Sequence, residues 1–160
     1  MRSSLTLAAA DLAHLVQRGL GERVRGVRCV LLDGELRLIM AGLDASRWLP
    51  RLTVEIAVVP LLHRERQEVE LRWRVVPSSL VGLIAAPVQQ LGVGAKVIDA
   101  LIDRLGGQAA VIRRDNEALV LALHQLAFLQ RLGITVEAIA ISVDALVAEL
   151  ALTGAEERAK

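Results

Sequence analysis

Hydrophobic residues along the chain follow two periods. Leu12, Leu15, Val16 and Leu20 recur at helical spacing, with Asp11 near the start and Arg18 near the end, where each charge suits the helix dipole. Gly19 or Gly21 is expected to close this helix, and residues 5–7 ahead of it read as a short strand or lead-in. The next segment reads as a hairpin. Asp33-Gly34 forms a two-residue turn of the kind that holds both residues at positive φ. Counting outward pairs Leu31 with Leu36, Cys29 with Leu38 and Val27 with Met40 on one apolar face. The other face, with Leu32 against Glu35, Val30 against Arg37 and Arg28 against Ile39, is mixed.

Leu52, Val54, Ile56 and Val58 alternate with Thr53, Glu55 and Ala57, and Pro60 is expected to end that strand. A polar loop through His63, Arg64, Glu65 and Arg66 leads to the cleanest alternation in the chain. Val69, Leu71, Trp73 and Val75 stand against Glu68, Glu70, Arg72 and Arg74, a strand with one buried and one solvated face. Over residues 78–105, Leu80, Leu83, Ile84, Val88, Leu91, Ile98, Ile102 and Leu105 keep a helical period behind a Ser78 or Ser79 cap. Pro87 and Gly92-Val93-Gly94 should kink that helix, and Gly106-Gly107 should end it. Two more hairpins follow, 109–114 with 118–123 around Asp115-Asn116, and 134–143 with 146–152 around Asp144-Ala145. Between them a short helical turn, 124–132, stops at Gly133. The order predicts one α+β domain over 1–154, with a second, N-terminal helix beside the long one, and a polar tail at 155–160.

Composition narrows the function. Of 160 residues 54% are hydrophobic and only 2% aromatic, which excludes intrinsic disorder and argues against single-stranded nucleic-acid binding, where bases stack on aromatic rings. A net charge of +1 supplies no field for a polyanion, so no nucleic-acid partner is expected. Cys29 is the single cysteine and points to a reducing compartment. Asp11 interrupts the apolar N-terminal run before it resembles a signal peptide. Residues 75–95 lack charge, but their prolines, glycines, glutamines and serines fit a buried, kinked helix better than a bilayer span. A cytoplasmic protein is expected.

Catalytic signatures are missing. His14, His63 and His124 lie on separate elements without a second ligand at metal spacing, no serine occupies a nucleophile elbow, and Cys29 lies on an apolar hairpin face where a thiol is inert. Gly92-Val93-Gly94-Ala95-Lys96 departs from phosphate-loop spacing, and Asp99 with Asp103 read as a solvated helix stripe. No enzyme, cofactor or metal is expected. Arg18, Arg23, Arg25 and Arg28 form the densest basic cluster. With Arg47, Trp48 and Arg51 it supplies candidate headgroup contacts: Arg23, Arg25, Arg47, Trp48 and Arg51 are the residues suited to a transient membrane-surface contact.

Ala10-Asp11-Leu12, the hairpin 27–40 with its Asp-Gly turn, Ala118-Leu-Val-Leu-Ala-Leu, Phe128-Leu-Gln-Arg-Leu-Gly133 and the closing hairpin together resemble the tubular lipid-binding superfamily, which includes the synaptotagmin-like mitochondrial lipid-binding domains. The resemblance implies a strongly curved antiparallel sheet wrapped around the long, kinked helix, with an apolar groove between them. The groove candidates are Leu38, Met40, Leu71, Trp73, Ile84, Val88, Leu91, Ile98 and Ile102. Smooth aliphatic walls suit a flexible chain, whose burial contributes about 0.8 kcal/mol per methylene. The expected function is non-catalytic binding or transport of a lipid or other elongated hydrophobic molecule. The alternative is a self-associating module, a homodimer with a packed core and no ligand.

Overall fold

A computed structural model of the protein describes residues 2–44, 51–76, 98–99, 110–114 and 118–152. Their order is β1 (Arg2–Leu7), α1 (Ala9–Leu20), β2 (Gly26–Leu32), β3 (Glu35–Leu43), β4 (Leu52–His63), β5 (Glu68–Val75), β6 (Val111–Arg114), β7 (Ala118–Ala122), α2 (Ala127–Leu132), β8 (Ile134–Ile141) and β9 (Leu146–Leu152). Two antiparallel sheets result, one ordered β2-β3-β4-β5-β7-β6 and one ordered β1-β9-β8.

This architecture corrects the expected one. The described residues are mostly strand and lie in two sheets; they do not form a single curved sheet around a long kinked helix. The longest described helix, α1, has 12 residues. The helix expected over 78–105 lies outside the described residues, apart from the helical pair Ile98 and Asp99. The division into two sheets has a local cause. After β7 the chain makes a single 3-10 turn and then α2, and Gly133 at φ 60° reverses it into β8. β8 and β9 therefore leave the plane of the first sheet and are joined by β1, whose Arg2 faces Ala151 and whose Leu7 faces Leu146.

Local predictions met varied outcomes. The β2–β3 register matches the predicted pairing at every position, Leu31 with Leu36, Cys29 with Leu38 and Val27 with Met40. Gly34 alone takes positive φ in the turn, at 74°; Asp33 does not share it. Asp11 accepts a hydrogen bond from the Ala8 amide at 3.0 Å and so caps the first turn of α1, while Gly21 at φ 57° ends the helix. Pro60 does not end β4, which runs on to His63. The reason is positional. β3 pairs with β4 from Leu52 to Val58, and Pro60 lies beyond that ladder, facing only Leu71 of β5. No ladder bond is lost there for want of an N–H.

One face of the six-stranded sheet forms the core. Leu38, Met40, Val54, Ile56, Trp73, Val75, Leu119 and Leu121 pack there with Val16 and Leu20 of α1 and with Leu123, Leu126, Leu129, Val136 and Ile141 from the return to the second sheet. Polar ties join the sheets, and two of them reach backbone groups of β8. The Gly34 amide at the hairpin tip donates to the Ile141 carbonyl at 2.9 Å. Gln67, in left-handed backbone conformation (φ 49°, ψ 51°), donates from Nε2 to the Val136 carbonyl at 2.9 Å and accepts the Val136 amide on Oε1 at 2.8 Å. Its side-chain amide thus imitates a strand neighbour of β8, at the point where a register shift separates Val136 from Ala138.

Candidate binding cleft

The groove residues named from sequence divide into three groups. Leu38, Met40, Trp73 and Ile98 are buried, at 2%, 0%, 5% and 5% exposure, and Leu71 is half-buried opposite Pro60 and Leu119. Leu38 and Met40 belong to the buried cluster on one face of the six-stranded sheet. Ile84, Val88, Leu91 and Ile102 lie outside the described residues. So do Arg47 and Trp48, whereas Arg23, Arg25 and Arg51 are exposed and gathered at one end of the sheet. There Arg51 donates to the Gly42 carbonyl at 3.2 Å and the Glu22 carbonyl at 3.4 Å. Gly42 sits at φ 64° beside a register shift, and a Cβ on it would come within 2.6 Å of the Arg25 side chain.

The outer face of the same sheet carries a cleft the groove assignment did not foresee. Because side chains alternate along a strand, the residues between the core positions project outward: Ala57, Val59 and Leu61 of β4, and Glu70, Arg72 and Arg74 of β5. Glu35, Ala57, Val59, Arg72, Arg74, Arg113 and Ala118 line a cleft of about 410 Å³, which Glu70 and Trp73 also border. That volume falls in the range of small-molecule sites. The cleft floor is small and aliphatic and its rim is guanidinium. Val59 and Leu61 are 41% and 47% exposed, and Val30 on the same face is 38% exposed.

A lattice of ion pairs holds the rim. Arg72 Nε donates to Glu70 Oε1 at 3.0 Å, Arg113 approaches the same oxygen at 3.6 Å, and His63 Nε2 is 3.9 Å from Oε2. Glu35 is shared between Arg74 at 3.1 Å and Arg37 at 3.2 Å, and Arg37 reaches Glu55 at 3.7 Å. The carboxylates lie at the base and the guanidiniums above them: Arg72, Arg74 and Arg113 side chains stay 65%, 55% and 64% exposed. Arginine offers five donors in a planar fork, so the exposed ends of these side chains suit a carboxylate or phosphate.

Glu70 is the only buried charged residue among the described ones. The Arg72 hydrogen bond, with the charges of Arg72, Arg113 and His63, holds its carboxyl below the ordinary value of 4.5, against the opposing pull of desolvation. A lowered carboxyl contributes stability above its unfolded value and loses that contribution as pH falls through the folded one. Acidification below about pH 4.5 is thus expected to weaken the protein, and Glu70→Gln should show a smaller loss between neutral and acid pH in urea titrations; an unchanged loss would remove Glu70 from the account.

Other chemistry is sparse here. Burial raises the Cys29 thiol to about 11, leaving it a poor nucleophile. Among the described residues no three His, Cys, Asp or Glu side chains gather as metal ligands would, and no helix is long and apolar enough to cross a membrane. Comparison with protein families, curated proteins and solved structures found no match for the chain.

Proposed function

We propose that the protein is a non-catalytic binding protein for an elongated amphiphile, a lipid or similar molecule with an anionic end. The carrying observation is the cleft itself, an aliphatic floor of Ala57, Val59 and Ala118 beneath three exposed guanidiniums. On this reading the apolar body of the ligand follows β4 along Ala57, Val59 and Leu61, a row spanning about 14 Å. Its head meets Arg72, Arg74 and Arg113. Each covered methylene contributes roughly 0.8 kcal/mol, while the charged end fixes orientation. On this reading the binding surface is the outer face of the six-stranded sheet.

The reading requires both ends of the ligand. Titration of a fluorescent fatty acid, competed by an unlabelled fatty acid and by the alcohol of equal length, separates them. The acid should displace the probe more strongly than the alcohol. Arg72→Gln with Arg74→Gln should weaken the acid by about tenfold, the loss of one charge-assisted contact, and leave the alcohol nearly unchanged. Val59→Asp should weaken both. Absence of uptake, or equal displacement by acid and alcohol, would count against the assignment.

A further inference from the structure

Strand β8 changes phase part-way along. Ile134 and Val136 pack against the core and so do Ile139 and Ile141, although strict alternation would place the two pairs on opposite faces. A β-bulge makes the change. Val136 lies opposite Leu150 and Ala138 opposite Glu149, so β8 advances two residues where β9 advances one, and Glu137 is the extra residue. Glu137 and Ala138, adjacent in sequence, both line the cavity on the side of the sheet turned away from the core. Bulges that re-aim a side chain in this way are common beside binding and active sites.

That cavity has a volume of about 620 Å³, and its walls include Arg2 and Ser4 of β1, Glu149 of β9, Glu137 and Ala138 of β8, and Arg64 from the turn between β4 and β5. Ser4 is directly opposite Glu149, and Glu149 is opposite Ala138, so the three form one row across the sheet, with Arg2 two residues from Ser4 on the same face. Carboxylates therefore occupy β8 and β9, while a guanidinium and a hydroxyl occupy β1. Arg64 forms an ion pair with Glu137, and Thr135 Oγ1 donates to Glu137 Oε1 at 3.4 Å, which restrains that carboxylate. Arg2, Ser4 and Glu149 are exposed to the cavity. The mixture of charges disfavours simple ions. An anion would meet Glu137 and Glu149, a cation would meet Arg2 and Arg64, and two carboxylates beside two guanidiniums are a poor metal set. A molecule carrying both charges satisfies both groups.

We propose that this face of the three-stranded sheet binds a small zwitterion whose ammonium and carboxylate are about 7 Å apart, the class of a dipeptide with both ends free. Neighbouring strands lie about 4.8 Å apart. A cation seated between β8 and β9 and an anion over β1 are thus separated by about one and a half strand spacings, roughly the reach of two residues of extended chain. The ammonium donates to Glu149 and Glu137, and the carboxylate accepts from the Arg2 guanidinium and the Ser4 hydroxyl. Ala138 leaves room for the body of the ligand between them. The site is separate from the outer-face cleft and does not depend on it.

Titration of the full chain with glycylglycine, followed by amide chemical shifts in NMR, tests the assignment, with glycine, N-acetyl-glycylglycine and glycylglycine amide as controls. Glycylglycine should shift the amides of residues 2–4, 137–138 and 148–150. Glycine, too short to reach both charges, and the two capped dipeptides, each lacking one charge, should bind about tenfold more weakly, the loss of one charge-assisted contact. Two exposed substitutions separate the ends. Glu149→Gln should weaken glycylglycine about tenfold and leave the N-acetyl form unchanged, whereas Arg2→Gln should weaken glycylglycine and leave the amide form unchanged. The proposal is overturned if glycylglycine shifts none of these amides, or if glycine or either capped form binds as well. It is equally overturned if either variant, folded by circular dichroism, keeps wild-type affinity for glycylglycine.

Discussion

Replacing Gln67 with Ala should lower the free energy of unfolding by about 2–4 kcal/mol, an unusual cost for a surface-loop glutamine. Its side-chain amide makes two bonds to the Val136 backbone and a third, Nε2 to the Arg64 carbonyl, at 2.8 Å. Val136 is buried, so truncation leaves its N–H and C=O unpaired where water has little access, and an orphaned buried group costs about 1–3 kcal/mol. Backbone strain works in the opposite direction. Gln67 is the only non-glycine residue at positive φ among the described ones, so Gln67→Gly relieves the left-handed backbone at the same time as it removes the amide. If the amide matters most, Gly should destabilise nearly as much as Ala. Urea unfolding of both variants, with hydrogen exchange at the Val136 amide, gives the answer: faster exchange at Val136 in each is expected. A stabilised Gln67→Gly protein would show that the turn, not the amide tie, dominates.

Met40→Ala should cost about 2–5 kcal/mol, the range for removing a large buried side chain and leaving a cavity. Met40 has 0% exposure, and its neighbours across the ladders, Val27 and Val54, are themselves half-buried and fully buried. The flexible thioether fills an irregular space, and β-strands on both sides limit collapse around the vacancy. Met40→Leu, nearly equal in volume, should cost less than about 1.5 kcal/mol. The contrast also bears on function. If the ligand lies on the outer face, Met40→Leu should leave fatty-acid affinity unchanged; a large loss of affinity in that stable variant would return the ligand to the interior. Thermal and urea unfolding measure the first effect, and the fatty-acid competition assay measures the second.

The local features were legible because their causes lie within a few residues. Gly34 and the alternation on either side of it determined the β2–β3 register without reference to the rest of the chain. Asp11 and Gly21 bounded α1 in the same way. Pro60 shows where a local rule misleads: a missing N–H matters only if a strand lies on that side, and β3 stops short of it. The candidate cleft was half legible. Alternation of Glu70, Arg72 and Arg74 marked a solvated face, but the contributions of Glu35 from β3 and Arg113 from β6 needed the strand order β3-β4-β5-β7-β6. Leu38 and Met40 have the same hydropathy whether they line a groove or fill a core, so their assignment required knowing what packs over them.

The sequence by itself determined the strands, the first helix, the hairpin register and the division of β5 into an apolar and a charged face, since periodicity and turn chemistry act over a few residues. Tertiary structure alone decided that the strands form two sheets, that β1 joins the C-terminal hairpin, and that Gln67 bonds to a backbone 69 positions away. It also decided which arginines are neutralised and which are not. Glu70 gathers Arg72, Arg113 and His63 from different strands, while Arg18, Arg23, Arg25 and Arg28 meet no carboxylate among the described residues. The physical reason is common to all of these: a residue's hydropathy and charge determine what it needs from its neighbours, and only the path of the chain determines which neighbours it has.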